Sequence, residues 1–225
     1  MYRGVFMITF KDIKESADIN TYIEEADRAL EALGYTEHSF AHVSVVSNNA
    51  AEILKGIGAP ERECELALIA GYMHDIGNIV NRVDHSQSGA LIAFRILDKM
   101  GMDAREISKI VTAIGNHDEG TGIPVSKIAA AIILADKADV RRTRVRNTDS
   151  LTFDIHDRVN YSAVLSSLVL SDDKKLVTLS LKIDTAISSI MDYFEIFLGR
   201  MKLCRTAAET LGLSFRLRIN EQEFI

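Results

Sequence analysis

The chain has 225 residues and a formal net charge of −6 at pH 7, and 47% of its residues are hydrophobic. This apolar content is enough for one sizeable domain, or a main domain with a smaller appendage, and it excludes a disordered chain. The acidic balance disfavours a nucleic-acid-binding protein, whose surface would be basic.

The sequence has no apolar run of the roughly 18 residues that cross a membrane, and its first residues lack the features of a secretory signal. We therefore expect a soluble protein of the cytoplasm without a membrane partner. Cys64 and Cys204 stand alone in the sequence, without partners at the spacing of a metal or redox motif. Any bound metal is expected to have nitrogen and oxygen ligands.

Apolar residues recur at helical spacing through most of the first 145 residues, which predicts about six helices. Residues 5–10 favour a short strand or a packed arm. Thr21 and Glu24 resemble a capping box, so the first helix is expected to begin near residue 20 and to stop at Gly34. The later helices are expected at 37–55, 61–73, 87–100, 103–116 and after Pro124.

The periodicity changes near residues 146–157, and we therefore predict domains at 1–150 and 151–225. Apolar residues alternate at 177–183 and at 213–219, which predicts two strands. A further strand, the hairpin partner of the first, is expected at 161–170.

Residues 185–211 predict one long helix, roughly 40 Å in length at 1.5 Å per residue. The expected fold class is mainly α, a helical bundle with a small C-terminal α+β appendage made of an antiparallel sheet and this helix. Because the helix has more apolar surface than so small a sheet can cover, we also expect a homodimer.

Histidine and aspartate residues occur in the helical part at positions that suit metal binding. His74 and Asp75 end a strongly apolar helix, while His42 and Asp136 lie on other apolar helices. Together they would supply two imidazole nitrogens and two carboxylates, a ligand set for Mn, Fe, Co, Mg or Zn. A carboxylate such as Asp136 is costly to bury without a cation.

His85 and His117 are candidates for a second metal position, with Asp75 as the bridge between the two ions. Two ions about 3.5–4 Å apart form the usual clamp for attack of hydroxide on phosphorus. The alternative for His85 is a structural position in the first turn of a helix. His156 has no such company in the sequence and is interpreted as structural.

Basic residues just after Asp136 are candidates for binding a substrate phosphate. They are Lys137, Arg141 and Arg142, the last two in a basic run at 141–146 that could equally be a solvated surface. His38 precedes His42 by one helical turn and is expected on the same helix face. It is a further candidate for phosphate binding, or else a surface or capping residue.

The order of His42, the His74-Asp75 pair and Asp136 on successive buried helices resembles the HD superfamily of metal-dependent phosphohydrolases. The resemblance covers residues 35–145. It implies a helical metal-binding domain that hydrolyses phosphoric esters or anhydrides.

Within that superfamily, segments 74–77, 85–90 and 116–119 are similar in order to the HD-GYP cyclic dinucleotide phosphodiesterases and the HD-type diadenosine tetraphosphatases. Those families bind two or more metal ions, so the resemblance implies that His85 and His117 are ligands. Asn78 stands where HD-GYP members often have a lysine, and the Gly-Tyr-Pro signature is absent, which argues against cyclic di-GMP as substrate.

The resulting prediction is hydrolysis of a nucleotide or small phosphoester, with two divalent ions of Fe, Mn, Co, Ni, Zn or Mg. Asp75 would bridge the ions, and Asn78 would donate one neutral hydrogen bond during catalysis. The alternative is a non-catalytic regulatory HD module that binds metal or nucleotide and signals through its C-terminal segment. A di-iron oxygenase, as in a minority of relatives, is a third possibility.

Overall fold

The structure, a computed structural model, describes residues 7–224. Residues 5 and 6 of the predicted arm therefore lie outside the described residues, as do residues 1–6 of the first predicted domain and residue 225 of the second. The helices that precede the C-terminal sheet are α1 (Phe10–Glu15), α2 (Ala17–Ala32), α3 (Phe40–Gly56), α4 (Glu61–Met73), α5 (His85–Met100), α6 (Ala104–Gly115), α7 (Lys127–Ala138) and α8 (Ile155–Ser162). Short 3-10 helices lie at Ile76–Ile79, Arg142–Arg144 and Ser150–Thr152.

The first two helices begin at capping residues that were not predicted from the sequence. Thr9 and Asp12 form a capping box at the start of α1, so residue 10 is helical and not extended. Ser16 caps α2 by accepting from the Ile19 N–H at 3.4 Å, so the helix begins before the predicted box at Thr21. Both helix starts were predicted wrongly for the same reason: short polar residues that suit a cap recur at neighbouring positions in this segment.

The apolar helix α4 lies at the centre of the helical part, as predicted. Leu66, Ile69 and Met73 on this helix are at most 1% exposed. Helices α3, α6 and α7 pack against α4. The C-terminal end of α4 therefore delivers the His74-Asp75 pair into the interior of the bundle.

A backbone contact at Gly77 holds the turn after the His74-Asp75 pair against the start of α5. A Cβ atom at this position would lie 1.9 Å from the carbonyl oxygen of His85 and 2.4 Å from the backbone nitrogen of Gly89. Real Cβ atoms do not approach so closely, so only glycine fits without movement of one segment. The hydroxyl of Ser88 donates to the Gly77 carbonyl at 3.2 Å and reinforces the contact.

The C-terminal part is a mixed sheet with one long helix. Strands β1 (Ala163–Leu170), β2 (Leu176–Ile183), β3 (Ser214–Ile219) and β4 (Gln222–Glu223) follow one another in this order across the sheet, and α9 (Ile190–Thr210) links β2 to β3.

The prediction of an antiparallel sheet is wrong for one pair of strands. Strands β1 and β2 are antiparallel, with Leu168 opposite Leu179, but β2 and β3 are parallel, with Leu179 opposite Leu217. The reason is the connection, because a strand that returns through a helix runs in the same direction as its predecessor. The fold class, mainly α with a small C-terminal α+β appendage, is confirmed.

Helix α9 is shorter than predicted, at 21 residues or about 32 Å. It packs against β3 on one side and against α7 on the other. Much of the apolar surface from which a dimer was predicted is thus covered within the chain, although Met191 and Leu198 remain exposed. The homodimer stays a prediction.

Buried residues from both parts of the described chain form one continuous apolar cluster. The hydroxyl of Ser166 on β1 also donates to the carbonyl of Ala138 at the end of α7. The division at residue 150 stays a prediction. None of the helices within residues 7–224 has both the length and the apolar character required to cross a bilayer.

Candidate metal centre

Three helices bring His42, His74 and Asp136 together in what we call the deep corner. His42 lies on α3, His74 follows α4, and Asp136 lies in the last turn of α7. Oδ1 of Asp136 is 3.4 Å from Nε2 of His42 and 3.8 Å from Nε2 of His74. Both imidazoles are completely buried.

A second group of ligand atoms forms what we call the outer corner, made of Asp75 Oδ1, His85 and His117. Nε2 of His85 lies 3.4 Å from Asp75 Oδ1 and 3.1 Å from Nε2 of His117. The other carboxylate oxygen, Asp75 Oδ2, faces the deep corner at 3.5 Å from His42 Nε2. Asp75 therefore lies between the corners, as a bridging ligand would.

All four imidazoles point the same nitrogen into the shared space, because Nδ1 of each faces an oxygen atom behind it. An oxygen at Nδ1 fixes the ring and leaves Nε2 as the ligand atom, the usual arrangement at metal sites. The Nδ1 distances are 2.8 Å from His42 to Asp139 Oδ2, 2.8 Å from His74 to Gly71 O, 3.0 Å from His85 to Arg82 O and 2.6 Å from His117 to Ile114 O.

The donor set fits divalent metal ions. Nε2 of His42 and Nε2 of His74 are buried and make no hydrogen bond with the described residues. Buried polar atoms without a partner are rare and require an explanation such as a bound ion. The residues that could hold an ion form two groups, one of His42, His74 and Asp136 and the other of His74, Asp75 and His117, and Nε2 of His85 lies beside the second.

Both carboxylates of the centre are held in the ionised form. Burial alone would raise the pKa of Asp136, but the Lys137 ammonium, 2.6 Å from Asp136 Oδ2, holds it well below its usual range. Burial would also raise the pKa of Asp75, and the surrounding imidazoles, His74 foremost, hold it well below its usual range. Ionised carboxylates are the form that binds metal.

The pKa values of His42 and His85 are shifted in opposite directions. Burial and Arg144 oppose the charge on His42, but its contacts with Asp136, Asp139 and Asp75 prevail and raise its pKa to about 9. Burial lowers the pKa of His85 to about 4. Without metal, His42 therefore carries a positive charge at neutral pH, while His85 is neutral.

A cavity of about 470 Å³ opens onto both corners, a size within the range of ligand sites. Its lining includes Asp75 and Asp136 together with His85 and His117. Four basic side chains also line it, namely Arg82, Lys137, Arg144 and Arg200. Ligand atoms for a metal and cations for an anion thus share one space.

The model of the HD domain family matches residues 39–159, more than half of the chain. The chain belongs to the HD domain family. This confirms the membership in the HD superfamily of metal-dependent phosphohydrolases that was predicted from the order of His42, His74-Asp75 and Asp136. The likeness to particular HD-GYP or tetraphosphatase groups stays a prediction.

Two similar proteins extend this comparison. Over 167 residues the chain is 28% identical to an uncharacterized protein of Methanocaldococcus jannaschii, MJ1020, and the match spans 64% of each chain. The crystal structure of a predicted HD superfamily hydrolase from an uncultured Thermotogales bacterium is 26% identical, with a TM-score of 0.44. That match covers 55% of this chain and 67% of the other.

Two of the four residues predicted to bind phosphate, Lys137 and His38, line the cavity. His38 does not share a helix with His42 as predicted, because Ser39 caps α3 and leaves His38 in the preceding loop, with its ring 5.3 Å from that of His42. Burial holds the pKa of His38 well below its usual range, so it is neutral.

The other two predicted residues, Arg141 and Arg142, are absent from the cavity lining. The guanidinium of Arg141 donates to Asp139 at 2.5 and 3.0 Å. Arg142 donates to the carbonyl of Tyr161 at 2.6 Å and covers its ring. The 3-10 helix Arg142–Arg144, which begins just after Arg141, directs the side chain of Arg144 toward the interior, where it is 5% exposed.

Asn78 lies behind Asp75 and is not among the residues that line the cavity. Its amide donates to the backbone carbonyl of Asp75 at 2.9 Å and to Asp75 Oδ1 at 3.0 Å. It is 2% exposed, and these bonds place it where it could orient Asp75. Its predicted part in catalysis stays a prediction. His156, interpreted as structural, does line the cavity.

Several residues in or beside the metal centre and its cavity were not predicted as site residues from the sequence. Asp139 follows Asp136 by three positions, and its burial beside His42 could have been suspected from that spacing. Arg144 lies within the basic run, but nothing local distinguishes it from Arg141. Arg200 on α9 reaches the cavity and donates to Glu119 at 2.9 Å, a contact between residues too far apart for any sequence pattern.

Proposed function

We propose that the chain is a metal-dependent phosphohydrolase that acts on a nucleotide or another small phosphoester. The observation that supports this proposal most strongly is the shared cavity, in which ligand atoms for metal and four basic side chains face one another. Membership in the HD family supports hydrolase chemistry in general.

The residues that would hold metal divide between the corners. His42, His74 and Asp136 would hold one divalent ion, and Asp75, His85 and His117 a second. Ions in these places would lower the pKa of bound water and offset negative charge on phosphoryl oxygens. Asn78 orients Asp75 for this purpose, and Asp139 does the same for His42.

The charge of the cavity favours an anionic substrate once metal is bound. Its lining carries the carboxylates of Asp75, Glu119, Asp136, Asp154 and Asp157 and the cations of Arg82, Lys137, Arg144 and Arg200. These charges nearly balance, so each divalent ion makes the cavity more positive. Lys137 and Arg144 are each 5% exposed, and buried cations bind phosphate more strongly than solvated ones.

The test is a screen of metal-loaded protein against phosphoesters. Metal-depleted protein is loaded with Mn, Fe, Co, Ni, Zn or Mg and assayed for phosphate release from nucleoside mono-, di- and triphosphates and from p-nitrophenyl phosphate. We expect turnover with at least one metal and none in Asp136→Asn. The absence of turnover under every condition, with a nucleotide still bound, would contradict the proposal and favour the regulatory module.

A further inference from the structure

The guanidinium of Arg82 lies at the outer corner, in the loop before α5. Its Nη1 atom is 3.3 Å from Asn78 Oδ1, 3.4 Å from His85 Nε2 and 4.0 Å from Asp75 Oδ1. The Tyr35 ring, 5.7 Å from the guanidinium carbon, supports the group from one side. Arg82 lines the cavity, and its side chain is 30% exposed.

Most of the hydrogen-bonding capacity of Arg82 is unused. Its hydrogen bonds with residues 7–224 are those of Nη1 to Asn78 and His85, while an arginine carries five N–H donors. Asp75 is too distant for a hydrogen bond to it. The rest of the planar fork is therefore available to a ligand in the cavity.

We propose that Arg82 forms a subsite for the oxygens of a terminal phosphoryl group beside the outer corner. This inference rests on the proposed function and narrows its substrate class. Nη1 lies 3.4 Å from His85 Nε2 and 4.0 Å from Asp75 Oδ1, the atoms expected to hold the outer ion. An ion held there would repel the guanidinium, and an oxyanion bound by both would offset both charges.

The geometry of the fork selects the kind of phosphate. A guanidinium binds two oxygens side by side. A phosphomonoester, or the terminal phosphate of a nucleotide, has three non-bridging oxygens, so two can face Arg82 while the third faces the metal. A phosphodiester has only two, so one oxygen would have to serve both the guanidinium and the metal. The subsite therefore favours terminal phosphoryl groups over internal diesters.

Asn78 acts in this arrangement as a positioning residue. Its amide nitrogen donates to Asp75, and its amide oxygen accepts from Arg82. One buried side chain thus fixes the ligand carboxylate and the guanidinium relative to each other. A lysine at position 78 would lack this acceptor oxygen and could not hold Arg82 in the same way. Here the cation beside Asp75 is Arg82, in the loop four residues after Asn78.

The experiment measures how inorganic phosphate changes the binding of Mn²⁺ to metal-depleted protein, with free Mn²⁺ followed by electron paramagnetic resonance. In the unmodified protein we expect phosphate to tighten Mn²⁺ binding about tenfold. Arg82→Gln is expected to reduce this coupling below about threefold, and Arg82→Lys to an intermediate value. Arg205→Gln, on the exposed side of α9, is the matched control and should retain the full coupling.

Mn²⁺ binding without phosphate separates this role from a structural one. Arg82→Gln removes a positive charge near the outer corner, so its Mn²⁺ affinity without phosphate should equal or exceed that of the unmodified protein. A weaker affinity would make Arg82 a structural support and overturn the subsite. The subsite is also overturned if Arg82→Gln keeps the coupling, or if the unmodified protein shows none.

The coupling requires no turnover, so the subsite and the proposed function can fail separately. If coupling depends on Arg82 but no phosphoester is hydrolysed, the hydrolase proposal fails and the subsite stands. If phosphomonoesters are hydrolysed with a KM that Arg82→Gln leaves unchanged, the subsite fails and the hydrolase proposal stands.

Discussion

The two corners of the metal centre differ in the residues that surround their ligands. In the deep corner, His42 and His74 are fully buried, and Asp139, itself held by Arg141, supports His42 from behind. In the outer corner, Arg82 and Asp118 lie beside His85 with side chains 30% and 26% exposed. We therefore expect an ion in the outer corner, with partly exposed side chains beside it, to exchange more readily than an ion in the deep corner.

Removal of a deep-corner carboxylate should have the largest effect. Asp136→Asn replaces the carboxylate near His42 and His74 with a neutral amide and leaves the Lys137 ammonium buried without its counter-charge. We expect the tightly bound ion to disappear and activity to fall at least about 1000-fold, as measured by elemental analysis and phosphate release. Asp118→Asn, at the rim of the outer corner, is the control and should keep the ion. An Asp136→Asn protein that retains its metal would refute this assignment.

Removal of an outer-corner ligand should leave the deep ion in place. His85→Ala takes away the nitrogen near Asp75 Oδ1 and His117 without touching the deep corner. We expect the metal content to fall from two ions to one and activity to fall about 100-fold. Elemental analysis after gel filtration distinguishes this result from loss of both ions, which would show that the corners do not bind independently.

The support behind the deep corner can be tested at Asp139. Asp139→Asn keeps an oxygen near His42 Nδ1 but loses the charge that Arg141 and Arg144 contact. Metal affinity should fall about 10- to 100-fold, as measured by competition with a chelator. Asp184→Asn is the matched control, since Asp184 pairs with Arg142 at 3.8 Å, away from the centre. Equal affinities in the two variants would show that Asp139 does not support the site.

The pH dependence of metal binding should also report the deep corner. The pKa of His42 is raised to about 9 without metal, so a metal ion must displace a proton from this ring. Metal affinity should therefore rise with pH up to about 9, by at most about tenfold per unit. His42→Gln should flatten this profile, and an unchanged slope in that variant would assign the proton elsewhere.

The stability of the metal-free protein should change in the opposite direction. The folded-state pKa of His42 lies above its ordinary value of 6.5. Its contribution to the free energy of unfolding is therefore fully present below pH 6.5 and lost as the pH rises toward 9. Thermal unfolding of metal-depleted protein across this range measures the loss, and added metal should abolish it.

The helical part and the HD order could be predicted from the sequence because their signals are local. The apolar run that ends at His74-Asp75 is contiguous, and the helix bounds of α4 were predicted as observed. The antiparallel sheet was wrong because alternation of apolar residues reveals a strand but not its direction. The helix between β2 and β3 was the available signal for a parallel pair.

The second layer of the site could not be predicted, because it depends on contacts between distant residues. Asp139 meets His42 across 97 positions, and Arg200 meets Glu119 across 81. Within the basic run, the inward direction of Arg144 and the outward direction of Arg142 follow from one 3-10 turn that leaves no pattern in the sequence. Which cations line the cavity is therefore decided by the fold.

We expect the number of metal ions that this protein can hold to depend in part on a residue without a side chain. Gly77 contacts the backbone of His85 and Gly89 at the start of α5, and no metal-ligating side chain takes part in that contact. A single methyl group at position 77 would push the turn and α5 apart. We expect such a protein to keep every ligand and yet become mononuclear, so nuclearity can be lost at a position that no survey of metal-binding residues would include.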